Sequence, residues 1–379
     1  MHYFVFPSAD AWISSGSSKL TGETFQDQNF GQDQILEVKK EFNNESFFYK
    51  TRALVNFAGT SFNEMSNSIA NGDIENPKFY LRLFASTGNS DTSGEYKLSA
   101  LAISQSWDEG TGKFGDRPKT KSGVSWLNRS YPVSGNEVSW STGLGISNYG
   151  VSTIEHNVNE EEAEAVQSFA YESGDIEMDI SSIASNWISG SSPGNHGVLI
   201  RISGSQETDE TTLAALKFFS RNTHTIYAPR LELRWDGHKP ITGSNTGSLS
   251  RLDLSGNTDN HIYTIGLKDS YRDTDKIKFR IGARKQYVQK TFSTSVQRVS
   301  GSYIPEGSGS YAIVDVATGE KVIDFSSYSK LSCDSKSNYF IEYLNGFYPD
   351  RYYKILIKLL YEDGQEIIYD DDFEFKIVR

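Results

Sequence analysis

Short runs of aromatic and β-branched residues recur along the whole chain and alternate with clusters of Gly, Asn, Asp and Ser. Aromatic and β-branched side chains suit a pleated, half-buried surface, and the separating residues are those that form turns. The 21 Tyr, 22 Phe and 32 Gly residues reflect the same pattern. Many short strands at such spacing predict a β-sandwich or barrel. The clearest runs are residues 52–57, 79–84, 198–202, 231–235, 276–281 and 352–360.

The length of 379 residues is too great for one ordinary hydrophobic core and predicts two domains. Residues 236–250 (DGHKPITGSNTGSLS) contain many turn formers and no periodic apolar pattern, which indicates a linker. We therefore expect an all-β fold of two tandem β-sandwich domains. Residues 1–236 are predicted to form a jelly-roll-like domain with one short helix, residues 237–250 a linker, and residues 251–379 an immunoglobulin-like docking domain.

One segment has the spacing of a short helix. In residues 180–188 the apolar side chains Ile180, Ile183, Trp187 and Ile188 fall on one helical face. Residues 160–168 (EEEAEAVQS) are so polar that they predict either a surface helix or an acidic loop.

The charge of the chain argues against nucleic-acid binding. The net charge is −12, and residues 1–239 contain 19 Lys and Arg against 30 Asp and Glu. Phosphate contacts need clustered Lys and Arg, so no nucleic-acid partner is expected. No apolar stretch approaches the ~20 residues that cross a bilayer, and the chain opens without a signal-peptide pattern. We therefore expect synthesis in a cytoplasm and no membrane insertion.

Several short motifs resemble those of one known family, and they occur in its order. The resemblance covers about residues 3–236, and the family is the DNRLRE-type domain, a β-sandwich related to carbohydrate-binding modules. The motifs include SADAWI at 8–13, NFG at 29–31, RALVNF at 52–57, WDEGTG at 107–112, GVSW at 123–126 and APRL at 228–231.

The resemblance implies a binding or structural role and leaves two settings open. The family usually occurs on exported chains, whereas virion proteins need no leader because they leave the host by lysis. Turns in the second half also look similar to accessory β domains of tailed-phage structural proteins. The favoured hypothesis is a phage virion protein of the neck, tail, baseplate or capsid decoration, which contacts other virion proteins as a homo-oligomer or symmetric array. The alternative is a carbohydrate-binding or adhesion module for host surface glycans.

The sequence shows no pattern typical of catalysis or of a bound cofactor. The six histidines lack zinc-site spacing, and the single cysteine, Cys333, is too few for a structural zinc site. Asp108 and Glu109 are consecutive and should point apart, so they are poor partners for acid–base chemistry. The resemblance gives Glu109 a structural role as an acceptor of backbone hydrogen bonds. We expect no enzyme activity, no metal and no cofactor.

Two tryptophans are candidates for a glycan-stacking surface. All six tryptophans lie in the first 236 residues, and exposed aromatic rings are what a sugar-binding surface needs. Trp12 and Trp140 are the candidates. Trp107, Trp126, Trp187 and Trp235 occupy positions better explained by core packing.

A basic segment in the second half is a candidate docking strip. Residues 276–298 contain seven basic residues and no acidic ones. The strip would contact an acidic partner surface, such as another subunit. The alternative is that positive charge protects an exposed edge strand from unwanted pairing. The seven residues are Lys276, Lys278, Arg280, Arg284, Lys285, Lys290 and Arg298.

Overall fold

The computed structural model confirms the all-β fold, with 43% of residues in strands and 7% in helices. It describes all residues except 19–21, 44–46, 88–93, 133–134, 141–163, 172–173, 191–193, 256–258, 288–291, 293 and 297–298. Within the described part no helix is long and apolar enough to span a bilayer.

The chain forms two compact units. The N-terminal unit comprises Val5–Asp73 and Lys78–Leu233. The C-terminal unit comprises Met1–Phe4, Ile74–Pro77 and Arg234–Arg379. The division into independently folding domains at 1–236 and 251–379 stays a prediction.

Strands β2 to β12 and most of β13 lie in the N-terminal unit. Its larger sheet has the order β12-β3-β4-β11-β6-β9, with β2 also paired to β4, and a second sheet contains β13, β5 and β10 in that order. The first thirteen strands are β1 His2–Val5, β2 Ala9–Ser14, β3 Ile35–Asn43, β4 Phe47–Asn56, β5 Lys78–Leu83, β6 Glu95–Ala102, β7 Asn128–Ser130, β8 Val138–Ser139, β9 Glu164–Ala170, β10 Ile176–Asp179, β11 Val198–Ile202, β12 Ala214–Phe219 and β13 Arg230–Arg234.

One face of the larger sheet is covered by the long segment that follows β6. The aromatic side chains of this segment, Trp107, Trp126 and Trp140, pack on Leu54 and Leu199 of the sheet. Burying these large rings provides a major part of the stabilisation of the segment, because each removes a large apolar area from water. In its described part, up to Trp140, the segment contains little regular structure, and these rings hold it on the sheet.

The helices differ in part from the expectation. Helix α2, Ser181–Ser189, confirms the predicted helix and ends at Gly190 in the left-handed conformation. Helix α1, Thr60–Ala70, was not expected, because only Phe62 and Met65 of its eleven residues are buried and the apolar pattern is weak. The expectation of one helix is therefore wrong.

The acidic segment also differs from the expectation. Glu164–Ala170 forms strand β9, because it pairs with β6 as an added strand of the larger sheet. Neither the helix nor the loop predicted for residues 160–168 holds for this part, and residues 160–163 lie outside the described residues.

The C-terminal unit is a sandwich of two sheets around one core. One sheet has the order β14-β18-β17-β22-β21 with β15 also paired to β17, and the other β16-β24-β23-β19-β20. Inward side chains such as Ile281 and Phe340 of the first sheet and Ile355 and Phe375 of the second share the core. The strands are β14 Ser250–Arg251, β15 Asn260–Thr264, β16 Ser270–Arg272, β17 Lys276–Lys285, β18 Ser302–Tyr303, β19 Gly309–Asp315, β20 Lys321–Ile323, β21 Ser332–Cys333, β22 Asn338–Tyr343, β23 Tyr352–Leu360 and β24 Glu366–Val378.

Candidate functional site

The segment after β6 is anchored by one buried amide side chain. Asn29 is completely buried, and its Nδ2 donates to the carbonyl oxygens of Glu109 (2.7 Å) and Val124 (2.8 Å). Its Oδ1 accepts from the backbone N–H of Gly31 (3.2 Å) and Gly112 (2.7 Å). Because both Nδ2 hydrogens and the carbonyl oxygen of Asn29 have partners, the side chain joins the NFG and WDEGTG motifs into one rigid loop base.

Two glycines allow this close approach. Gly110 and Gly123 have φ angles of +81° and +108°, which L side chains rarely adopt. A Cβ atom at Gly110 would lie 2.1 Å from the carbonyl oxygen of Ser122. The glycines are therefore required by the geometry of the loop base.

Next to this loop base lies a cluster of four aromatic rings, one of which is exposed to solvent. The four are Trp12, Phe25, Phe30 and Phe114. Trp12 stacks on Phe30 with ring centroids 3.8 Å apart and an interplanar angle of 13°. Phe114 lies next in the cluster, 6.3 Å from Phe30 and 5.8 Å from Phe25. Trp12 is 3% exposed, whereas Phe114 is 50% exposed. The outermost ring of the cluster therefore presents about half of its surface to solvent.

Asp33 connects the buried and the exposed ring. Its Oδ2 accepts a hydrogen bond of 2.9 Å from Trp12 Nε1, and its Oδ1 accepts one of 3.1 Å from the backbone N–H of Phe114. Burial raises the pKa of Asp33, although these hydrogen bonds oppose the shift. The carboxylate fixes the position of the exposed ring relative to the core.

Polar side chains lie in the same loop as the exposed ring. Lys113 and Arg117 are exposed, and Arg117 Nη1 donates to the carbonyl oxygens of Phe114 (3.3 Å) and Asp116 (2.6 Å). Asp116 Oδ2 accepts from Thr120 Oγ1 and from the backbone N–H of Lys113. The hydrogen bond from Thr120 is the main reason that the pKa of Asp116 is lowered. The loop that carries Phe114 therefore also carries two exposed cationic side chains and an ionised acceptor.

This arrangement has the features of a shallow binding surface for a ring-shaped polar ligand. A flat apolar face can bury the C–H face of a sugar ring, and neighbouring donors and acceptors can bind its hydroxyl groups. We call Phe114, Lys113, Arg117 and Asp116 the Phe114 site.

The two predicted tryptophans do not form an exposed surface. Trp12 is 3% exposed and Trp140 is 4% exposed. Trp140 packs in the cluster on the larger sheet, and its Nε1 donates to the carbonyl oxygen of Ser125 at 3.0 Å. Neither ring face is open to solvent, so the expectation of a stacking surface at these residues is wrong. The exposed ring of this aromatic cluster is Phe114. It lies in a loop with Gly on either side and several Lys and Arg residues, and this combination was the available sequence signal.

Glu109 acts as the expected acceptor and lies beside a buried carboxyl group. Glu109 Oε1 accepts from the backbone N–H of Asp10 at 3.1 Å and lies 3.5 Å from Arg221 Nη1. Asp10 is 1% exposed, and its Oδ2 accepts from the backbone N–H of Arg221 at 2.6 Å. Asp10 Oδ1 has no hydrogen-bond partner among the described residues. Burial raises the pKa of Asp10 to about 7, and the charge of Glu109 acts in the same direction.

The structure brings part of the predicted docking strip together. Lys276, Lys278 and Arg280 alternate along β17 with the core residues Phe279 and Ile281, so the three cations share the outer face. Arg284 has the same parity and lies on this face as well. Lys285 lies on the opposite face and pairs with Asp253 at 2.9 Å. Lys290 and Arg298 lie outside the described residues.

The edge-protection explanation for these cations stays a prediction. Strand β17 pairs with β22 through residues 276–281 and with β15 through residues 281–285. The part that carries Lys276 and Lys278 therefore pairs with one neighbouring strand only among the described residues, whereas Arg284 lies in the part that pairs with β15.

Comparison with known proteins places the N-terminal part of the chain near a family of sugar-binding domains. Residues 2–136 match the family described as Carbohydrate-binding module family 96. The match covers about a third of the chain and supports a carbohydrate-binding-module-like domain, as the DNRLRE-type resemblance implies. The comparison with curated proteins gave no match. The resemblance to tailed-phage proteins received no support and stays a prediction.

Proposed function

We propose that the N-terminal unit binds carbohydrate without catalysing a reaction, and that the Phe114 site is its contact surface. The observation that carries the proposal is the half-exposed ring of Phe114 at the end of a buried aromatic cluster. The ring and its polar neighbours all lie within the residues that match the carbohydrate-binding family.

The physical argument rests on preorganisation. The backbone of Phe114 is held by Asp33, and the ring packs on Phe25 and Phe30, so little conformational entropy is lost when a ligand binds. Stacking removes apolar area of both the ring and the sugar from water. Ligand binding at the Phe114 site therefore requires no rearrangement of the β-sandwich.

Affinity electrophoresis through gels that contain soluble polysaccharides tests the proposal. A panel of neutral glucans, galactans and mannans, together with acidic polysaccharides, identifies a polymer that retards the wild-type chain. Phe114→Ala should raise the Kd for that polymer about tenfold or more, because a central anchor typically contributes more than 1 kcal/mol. Phe114→Trp should retain binding, because it keeps a flat exposed ring.

Phe292→Ala is the matched control. Phe292 is a solvent-exposed ring in the C-terminal unit, and its truncation should leave retardation unchanged. Retardation that is equal in wild type and Phe114→Ala, or absent with every polymer of the panel, would contradict the proposal.

The virion setting and the symmetric assembly expected from the sequence stay predictions. Light scattering on the purified chain measures the oligomeric state, and co-purification with phage particles at fixed stoichiometry tests the setting. Both measurements are independent of glycan binding.

A further inference from the structure

The outer face of β15, β17 and β22 in the C-terminal unit carries a flat pair of aromatic rings. Tyr263 pairs with Gly282 across the two strands β15 and β17, and a Cβ atom at Gly282 would lie 2.3 Å from Tyr263 Cζ. The phenol ring therefore lies flat over the glycine. His261 lies two residues before Tyr263 on β15 and on the same face of the strand. The two rings stack with their centroids 5.6 Å apart and an interplanar angle of 18°. Both rings are half-buried, so part of each ring contacts solvent.

A row of cations runs beside these rings along β17. Lys276, Lys278, Arg280 and Arg284 share the outer face with Gly282. Side chains two residues apart on a strand are about 7 Å apart, so the row from Lys276 to Arg284 extends about 27 Å. A repeating anionic polymer can contact such a row at several points at once.

Only part of this positive charge is neutralised. Asp334 lies 2.8 Å from both Lys278 Nζ and Arg280 Nη2. Lys276 Nζ donates to the hydroxyl of Tyr343 at 2.8 Å, and Arg284 Nη1 donates to the carbonyl oxygens of Lys285 and Gln286. Neither Lys276 nor Arg284 has a carboxylate partner in the part of the chain that the structure describes. The positive charges at the two ends of the row are therefore not neutralised by a carboxylate of the described residues.

The structural explanations account for only half of these features. An aromatic side chain that covers a glycine stabilises a sheet by filling the vacant space, which explains Tyr263. Protection of an edge accounts for Lys276 and Lys278 but not for Arg284, which lies where β17 pairs with β15 and, at Ala283, with β18.

We propose that this face is a second binding site, and that its ligand is an acidic polysaccharide with carboxylate or sulfate groups along the chain. The solvent-exposed parts of Tyr263 and His261 receive the C–H faces of sugar rings, and Lys276 and Arg284 bind the anionic groups. A nucleic acid also has stacking rings and anionic groups, but it carries a phosphate on every nucleotide, and only Lys276 and Arg284 of the row lack a carboxylate partner among the described residues. The site lies in the other compact unit and does not depend on the Phe114 site.

The test measures retardation of the full chain with the Phe114→Ala change already present, so that the N-terminal site does not contribute. Gels contain polygalacturonate, chondroitin sulfate or neutral dextran. We expect retardation by at least one of the two acidic polymers and none by dextran. The double change Lys276→Gln with Arg284→Gln should raise the Kd at least tenfold. Tyr263→Ala should weaken binding as well, and Tyr263→Phe should preserve it because the ring remains.

Lys285→Gln is the matched control, because Lys285 lies on the same strand but on the opposite face. The two glutamine changes leave the core and Gly282 untouched, so they keep the test decisive even if Tyr263→Ala does not fold. Absence of retardation by both acidic polymers overturns the proposal, and so does equal retardation of the double variant and the Lys285→Gln control. A thymidylate oligonucleotide and each soluble acidic polysaccharide are also compared as competitors of the retardation. If the oligonucleotide abolishes retardation at a lower concentration than either polysaccharide, the face binds nucleic acid and the proposal is overturned. Failure of the Phe114 site alone leaves these outcomes unchanged.

Discussion

The indole Nε1 of Trp12 donates a hydrogen bond of 2.9 Å to the carboxylate of Asp33, and the same carboxylate receives the backbone N–H of Phe114. A buried ring and an exposed ring are thus fixed by one side chain. The stability of the N-terminal unit and the geometry of the Phe114 site are therefore coupled through Asp33.

Asp33→Ala should weaken both properties. Trp12 Nε1 loses its acceptor inside the protein, which costs about 1–3 kcal/mol of unfolding free energy. The loop around Phe114 also loses a positioning contact, so the Kd for the glycan found in the panel should rise. Urea denaturation and affinity electrophoresis measure the two effects.

Asp33→Asn is the conservative comparison, because its remaining carbonyl oxygen can accept one of the two hydrogen bonds. Its losses should be smaller than those of Asp33→Ala. If Asp33→Ala loses stability while its glycan affinity equals that of wild type, Asp33 does not position the exposed ring.

Asp10→Asn should stabilise the protein at neutral and alkaline pH. The pKa of Asp10 is raised from 3.8 to about 7, so the folded state binds a proton more tightly than the unfolded state. The stability from this protonation is fully present below about pH 4 and is lost as the pH rises to about 7. Asparagine imitates the neutral acid, and its advantage over wild type should grow through this window toward a limit on the order of 4 kcal/mol.

Urea denaturation at pH 4, 5, 6, 7 and 8 measures this difference. Asp324→Asn is the control, because the Asp324 side chain is 61% exposed. A stability difference between Asp10→Asn and wild type that stays constant from pH 4 to pH 8 would show that Asp10 does not titrate in this range.

Glu342→Gln should destabilise the C-terminal unit strongly. Glu342 is completely buried, and its Oε1 lies 2.9 Å from His2 Nδ1 and accepts a hydrogen bond from the hydroxyl of Tyr311. Burial opposes ionisation of Glu342, but His2 and the other partners outweigh it and lower the pKa. The stability that Glu342 provides is fully present above the pKa that this group has in the unfolded chain. It is lost as the pH falls through the lower pKa of the folded state. Removing the charge should cost about 3–5 kcal/mol at pH 7.

Thermal and urea denaturation compare this variant with Glu366→Gln. Glu366 pairs with Lys358 at 3.1 Å, but its side chain is 54% exposed, so this control should lose less than about 1 kcal/mol. Similar losses in the two variants would mean that the buried carboxylate does not stabilise the unit as described.

Gly282→Ala should displace Tyr263 and disturb the sheet. The added Cβ would lie 2.3 Å from the phenol ring, so the ring has to rotate away from β17. We expect a loss of about 1–3 kcal/mol of unfolding free energy, as for overpacking, together with weaker binding of the acidic polymer.

Gly243→Ala is the control, because a Cβ at Gly243 meets no atom within 4 Å. Denaturation and affinity electrophoresis of both variants check the prediction. Wild-type stability in Gly282→Ala would show that Tyr263 does not depend on the glycine.

The sequence predicted the fold class, because the fold class depends on local patterns of apolar and polar side chains. The run 276–281 was predicted as a strand, and in β17 its Phe279 and Ile281 lie in the core while Lys278 and Arg280 lie on the outer face. Helix α2 was predictable from its apolar face, whereas α1 was not, because it buries only Phe62 and Met65. The role of Glu109 as a backbone acceptor followed from the family resemblance and is confirmed by its bond to Asp10.

The composition, the alternating pattern and the motif order were thus sufficient for the all-β fold and for the carbohydrate-binding-module-like N-terminal domain. Only the tertiary structure decided that Trp12 is buried and Phe114 exposed, because exposure depends on which distant segment covers a ring. It also decided which strands pair with β17, because its neighbours β15 and β22 come from separate parts of the chain. Side-chain alternation is a property of one strand, whereas burial and strand order arise from contacts between segments that no local pattern specifies.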